Sequence, residues 1–156
     1  MVSKKIKVAV VGLGRIAWDF HLPEIRKHAG FELCAVVDPL PERLVDTNRK
    51  FGPVNCYGKI AEMLSQEKPV LTVIASPSSF HFEQILACFA ARSDVFCEKP
   101  LCSGFSDGDK IVTAMEKYGR KLMVYQPHRV NPVALTAKKI IESGKLGDIS
   151  EVKRCV

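Results

Sequence analysis

The fold is decided near the start of the chain by two adjoining pieces, Ile6-Lys7-Val8-Ala9-Val10-Val11 and Gly12-Leu13-Gly14-Arg15-Ile16-Ala17. The first piece is a mostly apolar, valine-rich run of the kind that forms a buried strand. Two glycines then interrupt the run, and a helical pattern begins at Arg15. A strand, a tight turn and a helix in direct succession indicate the first unit of a parallel α/β sheet.

The same alternation continues along the chain. Apolar runs predict further strands at 31–37, 56–57, 70–75, 95–97 and 122–125, and residues 149–156 read as one more. Amphipathic stretches predict helices at 15–28, 41–51, 60–65, 79–91, 106–118 and 133–143, with a serine at 78, 79 or 106 as a cap. Residues 1–148 are therefore expected to form one doubly wound parallel sheet, a Rossmann fold.

The glycine turn has the G-x-G-x-x-A spacing of a dinucleotide-binding turn. Gly12 would make the tight turn, and Gly14 would let a pyrophosphate approach the backbone. The free N–H groups of Arg15 and Ile16 would then bind that anion at the start of the helix. The alternative is a turn that only joins strand to helix.

Asp38 stands at the end of the second predicted strand, 24 residues beyond Gly14. A carboxylate there would accept hydrogen bonds from the ribose hydroxyls of an adenosine and would repel a 2′-phosphate. This arrangement favours NAD over NADP as the cofactor. Arg43 lies close enough in sequence to weaken that preference, so NADP stays open.

Composition narrows the class of protein. The chain has 156 residues, of which 47% are hydrophobic and 26% charged, as in an ordinary globular domain. No apolar run is long enough for a membrane span or a signal peptide, so we expect a cytoplasmic protein that does not bind membranes. The net charge of +6 is spread in runs of at most two basic residues, which does not favour nucleic-acid binding.

The six cysteines predict reduced core thiols. They form no C-x-x-C pair and have no nearby histidine pattern, so we expect neither a metal site nor a disulfide framework.

Several short motifs, in this order, give the chain a resemblance to a known family. They are Gly12-Leu13-Gly14-Arg15-Ile16-Ala17, Val37-Asp38-Pro39, Ala75-Ser76-Pro77, His81, Val95-Phe96-Cys97-Glu98-Lys99-Pro100-Leu101 and Arg129-Val130-Asn131-Pro132. From residue 6 to about 152 the chain resembles the glucose–fructose oxidoreductase, inositol dehydrogenase and rhizopine-catabolism (Gfo/Idh/MocA) family. The resemblance implies an NAD(P)-dependent oxidoreductase acting on a secondary alcohol of a sugar, cyclitol or nucleotide sugar.

The resemblance also implies roles for individual residues. Lys99 would lie between nicotinamide and substrate, where an ammonium can donate or stabilise the proton at the reacting oxygen. The other positions expected to contact the cofactor are Ser76, Pro77, His81, Glu98, Gln126 and Arg129. Three of these residues have a structural alternative: His81 could brace its helix, Arg129 could lie on the surface, and Lys99 could form a surface ion pair with Glu98.

The chain departs from the family in two ways. Arg92 replaces a usual glycine, which would cost about 1 kcal/mol if that position is left-handed. Family members also continue into an open antiparallel sheet, which forms a wall of the substrate pocket and a common dimer surface. We therefore expect residues 149–156 to begin a second domain that is otherwise missing, and this chain to be incomplete for catalysis. Homo-oligomers are possible. A non-catalytic NAD(P)-binding sensor or regulatory module is the alternative.

Overall fold

The computed structural model describes residues 5–153, which fall into two units at 5–125 and 126–153. The first unit contains a six-stranded sheet with the order β3-β2-β1-β4-β5-β6, and every neighbouring pair is parallel. The strands are β1 (Ile6–Val11), β2 (Phe31–Val37), β3 (Asn55–Tyr57), β4 (Leu71–Ile74), β5 (Asp94–Cys97) and β6 (Leu122–Val124). The chain order reverses between β1 and β4, where open α/β sheets bind their ligands. The predicted doubly wound fold is confirmed.

Helices connect the strands. They are α1 (Leu22–Lys27), α2 (Pro41–Phe51), α3 (Ile60–Glu67), α4 (His81–Ala90) and α5 (Phe105–Tyr118) in the first unit, and α6 (Pro132–Glu142) in the second. None of the helices in the described residues is long and apolar enough to cross a membrane.

The sheet buries both of its faces. Alternate side chains of β1 point to opposite sides, so that Val8 and Val10 enter one cluster of buried residues while Ala9 and Val11 enter another. Helix α1 covers the first cluster with Leu22, and α4 covers the second with Phe89. A strand buried on both faces has to be apolar, which explains the run of apolar residues from Val8 to Val11.

The first helix differs from the prediction. A π-helical turn, Ala17–His21, precedes α1, and the N–H of Leu22 donates to the carbonyl of Ala17, five residues back. Pro23 then occupies an early position of α1, where it cannot donate a hydrogen bond to a carbonyl of the preceding turn. The prediction of one helix over residues 15–28 did not include this π-helical turn.

The predicted serine caps are wrong. A short 3₁₀ turn occupies Ser78–Phe80, and α4 begins at His81 without a side-chain cap. Helix α5 begins at Phe105 after Gly104, whose carbonyl accepts from the N–H of Asp107 and so takes the place expected for Ser106.

Arg92 has a φ of +62°, so the left-handed position inferred from the family glycine is present. A residue with a Cβ costs about 1 kcal/mol more than glycine at such a position.

The second unit contains a 3₁₀ turn, Pro127–Val130, followed by α6. Asn131 caps α6 by accepting the N–H of Val133 at 2.8 Å. Residues 149–153 form no strand, and the remainder of the strand expected at 149–156 lies outside the described residues. The boundary between the two structural units lies between residues 125 and 126, whereas the sequence predicts a domain boundary near residue 148. The assignment of 149–156 to a second domain stays a prediction.

Candidate functional site

The glycine turn packs directly against the end of β4. Gly12 has a φ of +86°, and a Cβ at this position would lie 2.5 Å from the backbone nitrogen of Ser76. Its own N–H donates to the carbonyl of Val37 at 2.8 Å, which ties the turn to β2 as well. No residue but glycine fits here, because both the left-handed backbone and the contact with Ser76 exclude a side chain.

The packing of the protein does not require a glycine at position 14. A Cβ added there would meet no atom within 4 Å, so the space beside it is open. The helix starts at this residue, since the N–H of Trp18 donates to the Gly14 carbonyl at 3.1 Å. The N–H groups of Arg15 and Ile16 precede that first helical bond and are available to a ligand. The combination forms a cradle for an anion beside a helix N-terminus.

Asp38 is only 2% exposed and already has several partners. Its Oδ2 accepts the N–H of Leu13 at 2.8 Å, and its Oδ1 accepts the N–H of Leu40 at 3.0 Å. The guanidinium of Arg43 lies 3.3 Å from Oδ2. Asp38 therefore fastens the glycine turn to the end of β2, a role beyond the expected contact with a ribose.

One cleft of about 710 Å³ brings seven of the predicted positions together. It lies at the carboxyl ends of β1, β2 and β4, and these seven are Gly12, Gly14, Arg15, Ile16, Asp38, Ser76 and Pro77. Arg43 also lines it, as do three residues that the sequence did not single out: Lys59, Phe80 and Gln84. Lys59 and Phe80 belong to no sequence motif. That they line the cleft could have been inferred only from the strand ends lying side by side in the sheet.

His81 lies outside this cleft and bridges two of its neighbouring loops. The side chain is 1% exposed, with Nε2 2.9 Å from the carbonyl oxygen of Ser76 and Nδ1 2.8 Å from that of Pro100. The Sγ of Cys97 lies 3.3 Å from Nδ1, and burial raises the pKa of this thiol to about 12, which keeps it protonated. His81 thus joins the end of β4 to the loop that follows Lys99.

Glu98 is buried and pairs with a histidine that sequence reasoning missed. The Nε2 of His21 lies 2.8 Å from the Oε1 of Glu98, with the rings of Phe96 and Tyr125 packed around the imidazole. The π-helical turn places His21 there, and no sequence signal marks a contact across 77 positions. The alternative ion pair between Lys99 and Glu98 is not formed among the described residues.

Lys99 itself is exposed and follows β5, the strand next to β4. Gln126 and Arg129 belong to the second unit, where the N–H of Arg129 donates to the Gln126 carbonyl at 3.0 Å. Their roles toward a cofactor, like that of Lys99, stay predictions.

The strand order, the glycine turn against β4 and the anion cradle define a Rossmann-type dinucleotide-binding domain. The chain belongs to the Gfo/Idh/MocA oxidoreductase family, whose NAD-binding Rossmann-fold model matches residues 6–126. The resemblance inferred from the motifs is confirmed, and the matched segment coincides closely with the first structural unit.

Relatives with known activities resemble the chain over nearly all of its length. The NADP(+)-dependent scyllo-inositol 2-dehydrogenase IolW of Bacillus subtilis is 28% identical over 93% of this chain. The scyllo-inositol dehydrogenase of Lactobacillus casei, solved with NAD(H) and scyllo-inositol, is 27% identical with a TM-score of 0.87 over 94% of the chain. The WlbA dehydrogenase of Bordetella pertussis, solved with NADH and UDP-GlcNAcA, is 31% identical with a TM-score of 0.86 over 92%. The chain spans 40%, 44% and 44% of their respective lengths.

Proposed function

We propose that this chain is the NAD(P)(H)-binding part of an oxidoreductase that acts on a secondary alcohol or ketone. The observation that carries the proposal is the open space beside Gly14, next to the free amides of Arg15 and Ile16 and opposite the Ser76 backbone. A nucleotide pyrophosphate needs such a bare backbone approach, and the protein's own packing does not. When bound, the nicotinamide would supply hydride transfer.

The substrate class proposed is a sugar, cyclitol or nucleotide sugar. It is supported by the inositol and UDP-sugar enzymes that share the fold and family. Lys99 is the proposed catalytic residue, which would hold or donate the proton at the substrate oxygen while the carbon gains or loses hydride. Glu98, fixed by His21, and the loop fixed by His81 would set the position of Lys99.

The proposal also covers the oligomeric state of the protein and its cellular compartment. A homo-oligomer is proposed for the complete enzyme, since the resemblance to the family implies an antiparallel sheet that commonly forms a dimer surface. A cytoplasmic location is supported by the cysteines, which are free at all five described positions, as reducing compartments keep them.

Binding of NADH tests the proposal. Trp18 is the single tryptophan, so energy transfer from its fluorescence to bound nicotinamide reports on one site. We expect saturable transfer that excess NAD⁺ or ADP-ribose abolishes. An NADH titration without any saturable signal, together with no heat of binding by calorimetry, would contradict the function proposed.

Lys99 is tested by turnover. The chain is incubated with NAD⁺ and a panel of inositols and UDP-sugars, and formation of NADH is followed. Where turnover is found, Lys99→Ala should reduce it by about 100-fold or more, as loss of a general acid or base does, with NADH affinity unchanged. Lys121→Ala, another exposed lysine, is the control. Binding of NADH without turnover on any substrate would favour a binding module or an incomplete enzyme, and turnover by this chain alone would contradict the expectation that it is incomplete.

A further inference from the structure

A second groove opens at the amino ends of the strands, opposite the glycine turn. It has a volume of about 860 Å³ and lies between the C-terminal halves of α3 and α4, beside the start of β4. Its floor is aliphatic, and three basic residues line it where α3, α4 and α5 have ended: Lys68, Arg92 and Arg120. We propose that this groove is a docking surface for a protein partner that presents an acidic segment with aliphatic side chains.

One face of each helix supplies the floor. Ala61 and Leu64 are three residues apart on α3, and Ala87 and Ala91 are four apart at the end of α4, so each pair lies on one side of its helix. Val70 adds an apolar side chain that is 52% exposed. The floor is therefore open at the surface, which suits a segment of another protein better than a small ligand that needs to be enclosed.

Two of the cations occupy backbone positions that favour glycine. Lys68 and Arg92 have φ values of +48° and +62°, and within residues 5–153 they are the two residues other than glycine with a positive φ. Glycine is usual just past a helix because it has no Cβ to strain there. A cation in the last turn would meet the helix dipole without that strain. Strained residues cluster at functional sites, and here both line the same groove.

The charge of the groove is positive and largely unmatched. Its lining within the described part of the chain contains three cations and no carboxylate, and no carboxylate oxygen there lies within 4 Å of the Lys68 or Arg92 side chain. Arg120 lies 3.7 Å from Asp94 and donates to the Arg92 carbonyl at 3.1 Å. Glu67 is hydrogen-bonded to side chains of β3 instead. Two cations thus remain for carboxylates of a partner.

The arrangement of the cations favours a segment over a single anion. The strands β4, β5 and β6 are neighbours in the sheet, and one of the three cations stands shortly before each. Neighbouring strands are about 5 Å apart, so the positive charge is spread along the edge of the sheet. An acidic segment can contact several of these side chains at once, whereas one small anion cannot.

A pair of synthetic peptides tests the proposal on the whole chain. The probe is an amphipathic helical peptide with leucines along one face and glutamates beside that face, and its twin carries glutamine instead of glutamate. Titration into the ¹⁵N-labelled chain should give saturable amide shifts at Ala61, Ser65, Ala90 and Arg92, with a dissociation constant below about 1 mM. The twin should bind at least about tenfold more weakly, because it lacks charge-assisted hydrogen bonds.

Glycine variants test the two cations without damage to the fold. Glycine suits both positive φ values, so Lys68→Gly and Arg92→Gly should resist urea at least as well as the parent. The double variant should nonetheless bind the glutamate peptide about tenfold more weakly. Arg49→Ala removes a charge from α2, away from the groove, and should leave peptide affinity unchanged. None of these residues lines the dinucleotide cleft, so NADH affinity should stay the same in all of them.

Several outcomes would overturn the docking surface. They are the absence of saturable binding by the glutamate peptide below about 1 mM, equal affinity for the glutamine twin, and unchanged peptide affinity in the double glycine variant, since the cations would then serve only their helices. Binding of decanoate at the same amides, with no binding of the peptide, would assign the groove to a small amphiphile instead. Each outcome is independent of NADH binding and so leaves the proposed function as it stands.

Discussion

At the scale of single residues, the two glycines of the turn serve different purposes. Gly12 is needed by the fold, because its left-handed backbone and its contact with the backbone of Ser76 leave no room for a Cβ. Gly14 has neither constraint, and the space beside it is empty. The open space beside Gly14 points to a ligand because it lies next to the N–H groups of Arg15 and Ile16 at the start of a helix.

Substitution by alanine separates the two roles. Gly12→Ala should lower the free energy of unfolding by about 2–3 kcal/mol, because a strained backbone and an overlap with β4 add together. Gly14→Ala should leave it within about 1 kcal/mol yet weaken NADH binding by at least about tenfold, since the methyl would separate the pyrophosphate from the amides. Urea denaturation and NADH titration measure the two effects. Normal NADH affinity in Gly14→Ala would contradict this assignment.

Asp38 illustrates how the structure changes a prediction made from sequence. A carboxylate at the end of β2 was expected to face a ribose, but it also holds the N–H of Leu13 inside the glycine turn. Asp38→Ala should therefore weaken NADH and NADPH together, in addition to any shift in preference, because the turn itself loosens. The comparison to make is with Asp38→Asn, whose side chain oxygen can still accept the Leu13 N–H.

At the scale of elements, a buried pair joins the first helical turn to the end of β5. His21 reaches Glu98 because the π-helical turn displaces it from its regular α-helical position. π-turns are rare and often occur at functional sites. This pair connects the helix that carries the anion cradle to the strand that precedes Lys99.

A double-mutant cycle tests the pair. His21→Phe and Glu98→Leu should each destabilise the chain by about 2–3 kcal/mol, because each leaves a buried polar partner unsatisfied. The double variant should be more stable than the sum predicts by at least about 1 kcal/mol, since the lost interaction is then counted once. Urea denaturation of the four proteins gives the coupling. Strict additivity would mean that the two side chains do not interact.

The elements show what sequence can and cannot predict. The bounds of β2 and α2 agree with the prediction at both ends, because proline and glycine mark them locally. The glycine turn and Asp38 were found by spacing alone. Three features were not found from the sequence. The π-turn carries no motif that marks it. The contact of His21 with Glu98 and the place of Lys59 in the cleft depend on segments that are distant in sequence and meet only in the folded sheet. Helix starts at Phe105 and His81 were misplaced since backbone, not serine side chains, forms their first bonds.

At the scale of the whole molecule, buried thiols limit alkaline stability. Burial raises the pKa of Cys34 to about 11 and that of Cys88 and Cys97 to about 12, from a reference of 9.0. The folded state holds these protons more tightly than the unfolded state, so their contribution is complete below about pH 9 and is lost as the pH rises toward 12.

The free energy of unfolding should accordingly fall above pH 9, when measured by urea denaturation across the alkaline range. Cys88→Ala should reduce the slope of that fall, although it lowers stability at neutral pH through the smaller core side chain. Val95→Ala, which also shortens a buried core side chain but removes no titratable group, is the matched control and should leave the slope as it is. Identical slopes in all three proteins would assign the alkaline loss to other groups.

We infer that a dinucleotide lies across the glycine turn with its pyrophosphate on the amides at the start of the helix. This placement is tested by an NADH titration of the ¹⁵N-labelled chain, followed by amide chemical shifts. We expect the largest shifts on Gly14, Arg15 and Ile16, with smaller ones at Asp38 and Ser76. Unchanged amide signals at Gly14, Arg15 and Ile16 under saturating NADH would contradict it.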